Sequence, residues 1–359
     1  MPRGAGRALP GGGSQPSFQV GQRGRAGVCG AYRPGRGRAV RIPVVVPPWL
    51  RAARDASADG ISWLDRLPEL IGAACDRWWL EVNGPPYKGG VCGWVAPVSR
   101  ADGSPAVLKV TWPHPEAAQE PAALRCWGGR GAIRVLEEDR AAWTMLLEPC
   151  LPGTPLRDAN LPVERGLEIG ANLLNALWSE SAHLPRGHGF DSMAETCDRW
   201  ADVAAGRARR YGDVLAGLGV DLGVLDLGIE LLRSLPGSAG RHVLVHGDFN
   251  PGNLLAAQRS PFLAIDPKPL VGDPAYDPWQ LVAQLGWPIR REDAATLVWE
   301  RIRRLSDLLD LVPERVAAWG VARDVEGGLW AASAGDPGKG AKWIRSAMLV
   351  APLLDGRPG

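Results

Sequence analysis

The chain has 359 residues, of which 45% are hydrophobic and 22% charged, so it can bury a substantial core and fold as two lobes rather than one. The formal net charge is +2, but residues 1–54 contain ten arginines and no acid, which leaves 31 basic against 39 acidic residues in the remainder. This mildly acidic body argues against nucleic acid as the main partner.

The cysteines and the hydropathy bear on the compartment. Six cysteines are scattered without a Cys-x-x-Cys pair, and no apolar run approaches the roughly eighteen residues of a membrane-spanning helix. Both features favour a cytoplasmic protein with reduced thiols and no membrane partner.

The first part of the chain divides into a tail and a small lobe. Residues 1–41 are rich in Gly, Arg and Pro and have almost no apolar periodicity, which predicts a disordered tail. The folded body is expected from residue 42 onward. Helical spacing of apolar residues between Ile61 and Trp79 predicts a helix that packs on the following sheet.

A glycine-bearing bend follows that helix and leads into a predicted strand at Cys92–Ser99. Gly89, Gly90 and Gly93 lie in or beside this bend. Residues without a Cβ let backbone amides approach phosphate oxygens, so the bend could cover a nucleotide. The pattern is not Gly-x-Gly-x-x-Gly, and an ordinary hairpin turn explains it equally well.

Lys109 lies in the next predicted strand, Ala106–Thr111, among apolar residues. An ammonium at this place can pair with nucleotide phosphates if a carboxylate from the next helix orients it. Glu116 and Glu120 of the predicted helix Pro115–Trp127 are candidates for that carboxylate. The alternative is a solvated lysine on an edge strand.

Two further strands are predicted at Ile133–Leu136 and Trp143–Glu148 and complete the small sheet. The Pro and Gly residues of 149–153 are typical of a stiff connector. From Val163 to Leu235 the apolar spacing predicts mainly amphipathic helices, so the second lobe should be largely helical.

The candidate reactive residues are Asp248, Asn253 and Asp266, which two short apolar runs would present from neighbouring strands. One carboxylate can accept a hydroxyl proton, while an amide oxygen and a second carboxylate hold magnesium against nucleotide phosphates. A polar loop in which Asp248 and Asn253 merely bond backbone amides is the alternative. The spacing disfavours that alternative, because Asn253 follows Asp248 by five positions and Asp266 follows Asn253 by thirteen, intervals that resemble those of the kinase catalytic loop.

The sequence around these residues resembles that of a known family. His-Gly-Asp at 246–248, with Pro-Gly-Asn at 251–253, is similar to the aminoglycoside phosphotransferase family. Leu-Lys-Val-Thr-Trp-Pro at 108–113 and Ile-Asp-Pro-Lys at 265–268 look most like its streptomycin 6-phosphotransferase and hydroxyurea phosphotransferase branch.

That resemblance implies an α+β, two-lobed protein-kinase-like fold. It implies a small antiparallel-sheet lobe at 42–148, a hinge at 149–153 and a larger, mainly helical lobe at 154–359. It also implies transfer of the γ-phosphate of ATP, with magnesium, to a hydroxyl of a small molecule, foremost a streptomycin-like aminoglycoside or hydroxyurea, which would confer antibiotic resistance. A kinase of a small metabolic alcohol and an inactive nucleotide-binding protein are the alternatives.

The resemblance also implies a role for each candidate. Asp248 would be the catalytic acceptor of the proton, and Asn253 and Asp266 would bind magnesium. The residues expected to bind the nucleotide are Lys109, Glu120, Gly89, Gly90, Gly93, Glu148 and Cys150. Glu120 is preferred to Glu116 because the family carries a Glu just before Ala-Ala-Leu-Arg, although Pro121 would then remove a helix hydrogen bond and bend the axis.

Downstream acids have weaker assignments. Asp273 and Asp277 are predicted to cap helices rather than to act in catalysis. Acids on the last predicted helices could contribute to a pocket for a cationic acceptor, with Trp319 or Trp330 as a stacking face, and ordinary solvated helix surface is the alternative for each. These acids are Glu300, Asp307, Asp310, Asp324 and Glu326. Residues 335–342 superficially resemble a phosphate-binding loop but lack its Lys-Ser/Thr ending, so a linker is predicted there.

Overall fold

A computed structural model describes residues 46–54, 57–88, 90–181, 184 and 187–355. The predicted tail at 1–41 and the predicted nucleotide-binding residue Gly89 therefore lie outside the described residues. Within the described part of the chain, no helix combines the length and the apolar character needed to cross a membrane.

The small lobe is an antiparallel sheet backed by helices. Two helices, α1 (Pro48–Arg54) and α2 (Ala58–Trp78), precede it. Its strands are β1 (Glu81–Val82), β2 (Gly93–Ser99), β3 (Pro105–Thr111), β4 (Val135–Asp139) and β5 (Thr144–Leu147), in the spatial order β1-β2-β3-β5-β4. Leu67 and Ile71 of α2 are buried with Leu108 and Leu146 of the sheet in one core. This is the packing that the helical spacing predicted.

Helix α3 (Glu120–Trp127) carries the predicted carboxylate, but it is shorter than expected. Residues Pro115–Ala117 form a separate 3-10 turn, and α3 begins only at Glu120. Pro121 thus lies in the first turn, where a backbone N–H would have no helical partner to lose. The expectation that this proline bends the helix was wrong, because the helix begins next to it.

The large lobe is mainly helical. Its helices are α4 (Val163–Ser181), α5 (Met193–Gly217), α6 (Leu222–Ser234), α7 (Pro278–Gln284), α8 (Ala294–Leu309), α9 (Pro313–Ser333) and α10 (Pro337–Val350). The predicted linker at 335–342 was wrong, because α10 begins at Pro337. One of its glycines serves packing instead: a Cβ on Gly340 would lie 2.5 Å from the carbonyl oxygen of Gly328 in α9.

Two small two-stranded sheets on this helical base present the candidate residues. Strand β6 (Val243–Val245) pairs with β9 (Leu270–Gly272), and β7 (Leu254–Ala256) pairs with β8 (Phe262–Ala264), both antiparallel. The segment between β6 and β7 is called here the catalytic loop (residues 246–253), and the segment between β8 and β9 the metal loop (residues 265–269). Two backbone hydrogen bonds join these loops, from the N–H of Ile265 to the carbonyl oxygen of Asn253 and from the N–H of Lys268 to that of His246.

Candidate active site

Lys109 joins the two lobes at the centre of the site. It lies in β3, the central strand, opposite Val95 and Met145, and only 9% of it is exposed. The edge-strand alternative is therefore wrong. Its Nζ donates to both carboxylate oxygens of Glu120, at 2.6 and 2.7 Å, and to Oδ1 of Asp266 at 2.7 Å. One ammonium thus connects the sheet, α3 and the metal loop.

The charges of this cluster depend on one another. Burial disfavours the charged form of Lys109, but the carboxylates of Asp266 and Glu120 outweigh it and raise the pKa of the ammonium. Burial likewise opposes ionisation of Asp266, yet Lys109 lowers the pKa of that carboxyl. Burial raises the pKa of Glu120 to about 7 against the attraction of Lys109. Lys109 and Asp266 are therefore both charged at neutral pH.

Glu116, the alternative partner of Lys109, points elsewhere. Its carboxylate lies 3.3 Å from Nζ of Lys268 in the metal loop. The structure therefore distinguishes the two glutamates, since Glu120 holds Lys109 and Glu116 faces Lys268.

The metal loop is bound to the catalytic loop next to Asp266. The backbone N–H of Ile265 donates to the carbonyl oxygen of Asn253 at 2.9 Å, which places the two predicted metal ligands on adjoining backbone. Asp266 itself has a left-handed φ of +58°, a conformation that Asp adopts more readily than most residues. This backbone turn directs its carboxylate towards Lys109.

The catalytic loop is fixed by its own amides. Asn253 donates from Nδ2 to the carbonyl oxygen of Asp248 at 3.0 Å, and Asn250 donates from Nδ2 to Oδ1 of Asp248 at 3.1 Å. The backbone-bonding alternative describes part of this geometry, since Asn253 does bond a carbonyl. That bond uses the nitrogen, however, and it leaves the amide oxygen as an acceptor. Asp248 is buried, with 6% of its surface exposed.

His246 packs beneath the loop. Its ring stacks on Trp127 with 6.0 Å between centroids and 4° between planes. Burial lowers the pKa of the imidazole, so it is neutral. The N–H of Asp248 donates to Nδ1 at 3.3 Å, and Nε2 donates to the carbonyl oxygen of Ile265 at 3.1 Å. The ring therefore joins the two loops and is not the proton acceptor.

The sequence reasoning missed the role of Asp277. It is fully buried and accepts the backbone N–H groups of His246 and Gly247, each at 2.8 Å, and the indole N–H of Trp178 at 3.3 Å. Its side chain makes no helix-cap hydrogen bond, so the capping prediction was wrong for this residue. Asp273 does cap, since its carboxylate accepts the N–H of Ala275 at 3.0 Å.

Lys268 was also missed, because nothing in Asp-Pro-Lys indicates where its side chain points. Its backbone N–H donates to the carbonyl oxygen of His246 at 2.8 Å, and its Nζ lies 3.8 Å from Oδ2 of Asp248. Close approach of the two loops requires the glycine at 247. That residue has a φ of +78°, and a Cβ on it would lie 1.9 Å from the carbonyl oxygen of Lys268.

A cleft of about 600 Å³, open at its mouth, runs from Lys109 to the connector between the lobes. Its apolar walls come from both lobes, from Val95, Val107, Ile133, Leu147, Leu255 and Ile265. Glu148 and Cys150 line its far end. The carboxylate of Glu148 binds Arg259 at 2.7 and 3.0 Å, and burial raises the pKa of the Cys150 thiol to about 12, so the thiol is neutral.

A second part of the cleft, about 470 Å³, lies on the other side of Lys109. Gly90 and Gly93 line it from the glycine bend. Glu116 lines it from the 3-10 turn that precedes α3, and Lys268 lines it from the metal loop. An apolar slot next to a charged, glycine-walled space fits a nucleotide, with the base in the slot and the phosphates beyond Lys109.

The residues that would hold magnesium fit that ion. Asn253 has its amide oxygen free of the bond that its nitrogen makes, and Asp266 has one carboxylate oxygen beyond the one bonded to Lys109. Among the described residues no cluster of three or more His, Cys, Asp or Glu side chains could hold a metal alone. Magnesium usually binds one or two protein carboxylates together with substrate phosphates and water, so such a cluster is not required.

Two of the predicted acceptor-pocket residues are bonded to other side chains of the large lobe instead. Trp319 is fully buried and donates to Asp273 at 2.6 Å, so its ring offers no stacking face. Asp324 accepts the indole N–H of Trp279 at 3.0 Å, and burial raises its pKa to about 6. Glu326 accepts from Arg207 at 3.2 Å, and burial raises its pKa, with a further rise from the charge of Glu116.

Comparison with known proteins agrees with this geometry. A streptomycin 6-kinase of Streptomyces griseus is 34% identical over 281 residues, which are 77% of this chain and 87% of that protein. A hydroxyurea phosphotransferase of Kitasatospora aureofaciens is 36% identical over 312 residues, 85% of this chain and 84% of that protein. The solved choline kinase of Cryptosporidium parvum Iowa II has a TM-score of 0.55 at 14% identity, over 80% of this chain and 96% of that one.

The structural likeness confirms the predicted kinase-like fold, and the sequence likeness confirms the predicted branch. The family described as aminoglycoside/hydroxyurea antibiotic resistance kinase matches residues 77–335, a range that includes every described candidate from Gly90 to Asp266. The chain therefore belongs to the aminoglycoside/hydroxyurea antibiotic resistance kinase family.

Proposed function

We propose that this chain transfers the γ-phosphate of ATP to a hydroxyl group of a small-molecule antibiotic, either a streptomycin-like aminoglycoside or hydroxyurea. The observation that carries the proposal is the 2.7 Å bond between Lys109 of the small lobe and Asp266 of the large lobe. This bond brings a phosphate-binding cation and a metal-binding carboxylate together at the mouth of a nucleotide-sized cleft.

In the proposed reaction Asp248 accepts the proton of the acceptor hydroxyl. The hydroxyl oxygen forms a bond to the γ-phosphorus, and the bond from that phosphorus to the bridging oxygen breaks, so the diphosphate leaves with the electron pair. Lys109, oriented by Glu120, holds the α- and β-phosphates. Asn253 and Asp266 hold magnesium, which neutralises phosphate charge. The protein contributes mainly position and charge.

The connector supplies contacts for the adenine base. The backbone N–H of Cys150 has no acceptor within the described part of the chain, while that of Glu148 donates to the carbonyl oxygen of Arg134 at 2.9 Å. We assign the Cys150 N–H to the base edge. The carboxylate of Glu148 then supports the connector through Arg259 and does not contact the nucleotide.

The acceptor is proposed to be cationic. Glu116 is half exposed at the cleft, and Glu326 lies close enough for the charge of Glu116 to raise its pKa. Arg207 compensates Glu326 at 3.2 Å, while Glu116 lines the cleft, where Lys268 lies 3.3 Å from it. A guanidino or amino group on the acceptor would pair with Glu116 and direct a neighbouring hydroxyl towards Asp248.

Transfer of labelled phosphate from ATP to a panel of acceptors tests the proposal. The panel holds streptomycin, other aminoglycosides, hydroxyurea and small metabolic alcohols. We expect Asp248→Ala to lower kcat by at least about a hundredfold while nucleotide binding is kept. Asp226→Ala, an exposed acid on α6, is the control and should behave as wild type.

Each result of this panel distinguishes one function. Labelling of a metabolic alcohol alone would replace the antibiotic by that acceptor class. Nucleotide binding without transfer to any acceptor would identify an inactive binder. Retained turnover in Asp248→Ala would remove Asp248 from the mechanism. A cytoplasmic location fits an ATP-dependent enzyme and the five free cysteines of the described residues.

A further inference from the structure

Lys268 is a second cation in the cleft, and the proposed mechanism has not used it. We propose that Lys268 is a catalytic residue that binds oxygens of the γ-phosphoryl group as it moves to the acceptor. This rests on the proposed function, because it assumes a nucleoside triphosphate in the cleft. Lys109 would then hold the α- and β-phosphates, and Lys268 the group that is transferred.

The position of Lys268 supports this division. Its backbone is fixed against the catalytic loop by the 2.8 Å bond to His246, so the side chain starts from a rigid base. Its Nζ lies 3.8 Å from Oδ2 of Asp248. Asp248 must reach the acceptor hydroxyl, and the hydroxyl oxygen bonds to the γ-phosphorus. An ammonium beside Asp248 is therefore beside the phosphoryl group during transfer.

The hydrogen-bonding state of the two lysines supports it as well. Lys109 makes three short hydrogen bonds to two carboxylates, which match the three donors of an ammonium. Lys268 has ion-pair distances of 3.3 Å to Glu116 and 3.8 Å to Asp248, but its Nζ makes no hydrogen bond within the described residues. Its donors are thus available to a ligand.

The surroundings of Lys268 suit a phosphate. Its side chain is 36% exposed and lines the part of the cleft that Gly90 and Gly93 also line. The glycine bend can therefore place backbone amides on one side of the γ-phosphate while Lys268 approaches from the metal loop. Negative charge spreads over the equatorial oxygens in phosphoryl transfer, and a fixed cation stabilises it there.

No proton passes through Lys268 in this step. The proton of the hydroxyl goes to Asp248, the new bond joins the acceptor oxygen to phosphorus, and the diphosphate leaves with the electron pair of the broken bond. Lys268 stays charged throughout. A purely structural role, in which Lys268 only balances Glu116 and Asp248, is the competing explanation that the experiment must separate.

Nucleotide binding separates the two explanations without any acceptor. The dissociation constants of ADP and of a non-hydrolysable ATP analogue are measured calorimetrically, with magnesium, for wild type and for Lys268→Met. We expect the analogue to bind at least about tenfold more weakly to the variant, because a charge-assisted contact is lost, and ADP to bind within about twofold of wild type. Lys342→Met, at an exposed position on α10, should change neither constant.

A second pair of variants keeps the test decisive. Lys268→Arg retains the charge and should retain the preference for the analogue, whereas Lys268→Gln should lose it even if the Met variant does not fold. Equal weakening of both nucleotides, or no change in either, would overturn the proposal. Failure to find an acceptor would count against the proposed function, while the preference for triphosphate over diphosphate would still decide the role of Lys268.

Discussion

Replacement of Asp277 by alanine tests how the catalytic loop is held. Asp277 is the acceptor for two successive backbone N–H groups, those of His246 and Gly247, each at 2.8 Å. The variant removes that acceptor inside a site where water has little access, since Asp277 is fully buried. Both N–H groups would lose their partner at the point where the chain turns to present Asp248.

The size of the effect follows from these contacts. A buried donor left without an acceptor costs about 1–3 kcal/mol, so two of them cost about 4 kcal/mol. Part of this is offset, because burial disfavours the carboxylate of Asp277 and raises its pKa. We expect the free energy of unfolding to fall by about 3 kcal/mol. A displaced Asp248 should also lower kcat by roughly ten- to a hundredfold, since positioning errors near 1 Å have effects of that order.

Urea unfolding and steady-state kinetics with the acceptor found in the panel measure both effects. Asp273→Ala is the matched control, because that acid is also buried and accepts from Arg315 and Trp319 at 2.6 Å, yet bonds no residue of the catalytic loop. It should lose comparable stability but keep kcat where both variants are folded. Equal kcat losses in the two variants, or an Asp277→Ala variant of wild-type stability and rate, would refute the reasoning.

Two further predictions concern the core and the connector. Burial raises the pKa of Asp324 from 3.8 to about 6, so the folded state binds the carboxyl proton more tightly than the unfolded state does. The protonated carboxyl therefore stabilises the folded state fully below pH 3.8, and this stabilisation is lost as the pH rises through 6. Urea unfolding from pH 4 to 8 should therefore show wild type losing about 2 kcal/mol relative to Asp324→Asn, and parallel profiles would contradict this. Arg259 donates to both carboxylate oxygens of Glu148, at 2.7 and 3.0 Å. Since this bridge is partly exposed, Arg259→Lys should weaken ATP binding only about fivefold and leave the acceptor KM unchanged; an altered acceptor KM would show that the bridge acts on more than the connector.

The sequence alone identified the central residues, because their proposed roles require fixed spacings along the chain. The proposed proton acceptor and the proposed metal-binding amide would have to lie a few residues apart on one loop, as Asp248 and Asn253 do. Lys109 was recognisable since a charged side chain in an apolar strand requires a buried partner. The structure supplies that partner in Glu120, and it adds a second bond from Lys109 to Asp266 of the large lobe.

Contacts that depend on the course of the backbone were beyond sequence reasoning. Asp273 and Asp277 have the same residue type and similar helix-start contexts, yet one caps and the other holds the catalytic loop. The choice depends on which backbone N–H groups the fold brings near, and these lie some thirty positions earlier in the chain. The glycines at 338 and 340 likewise indicated a linker, whereas close packing of α10 on α9 is what requires the small residue at 340.

Gly247 and Lys268 are best understood as one arrangement. Protein kinases carry His-Arg-Asp in their catalytic loop, whereas this chain has His-Gly-Asp. With a φ of +78° and a carbonyl oxygen 1.9 Å from where a Cβ would lie, position 247 has no room for a side chain while the metal loop lies this close. A chain with arginine at this position would have to move its metal loop away. Lys268 would then move away from Asp248 together with the loop. The glycine therefore allows the metal loop to bring both Asp266, the proposed magnesium ligand, and Lys268 to the part of the cleft where we propose that the phosphates bind.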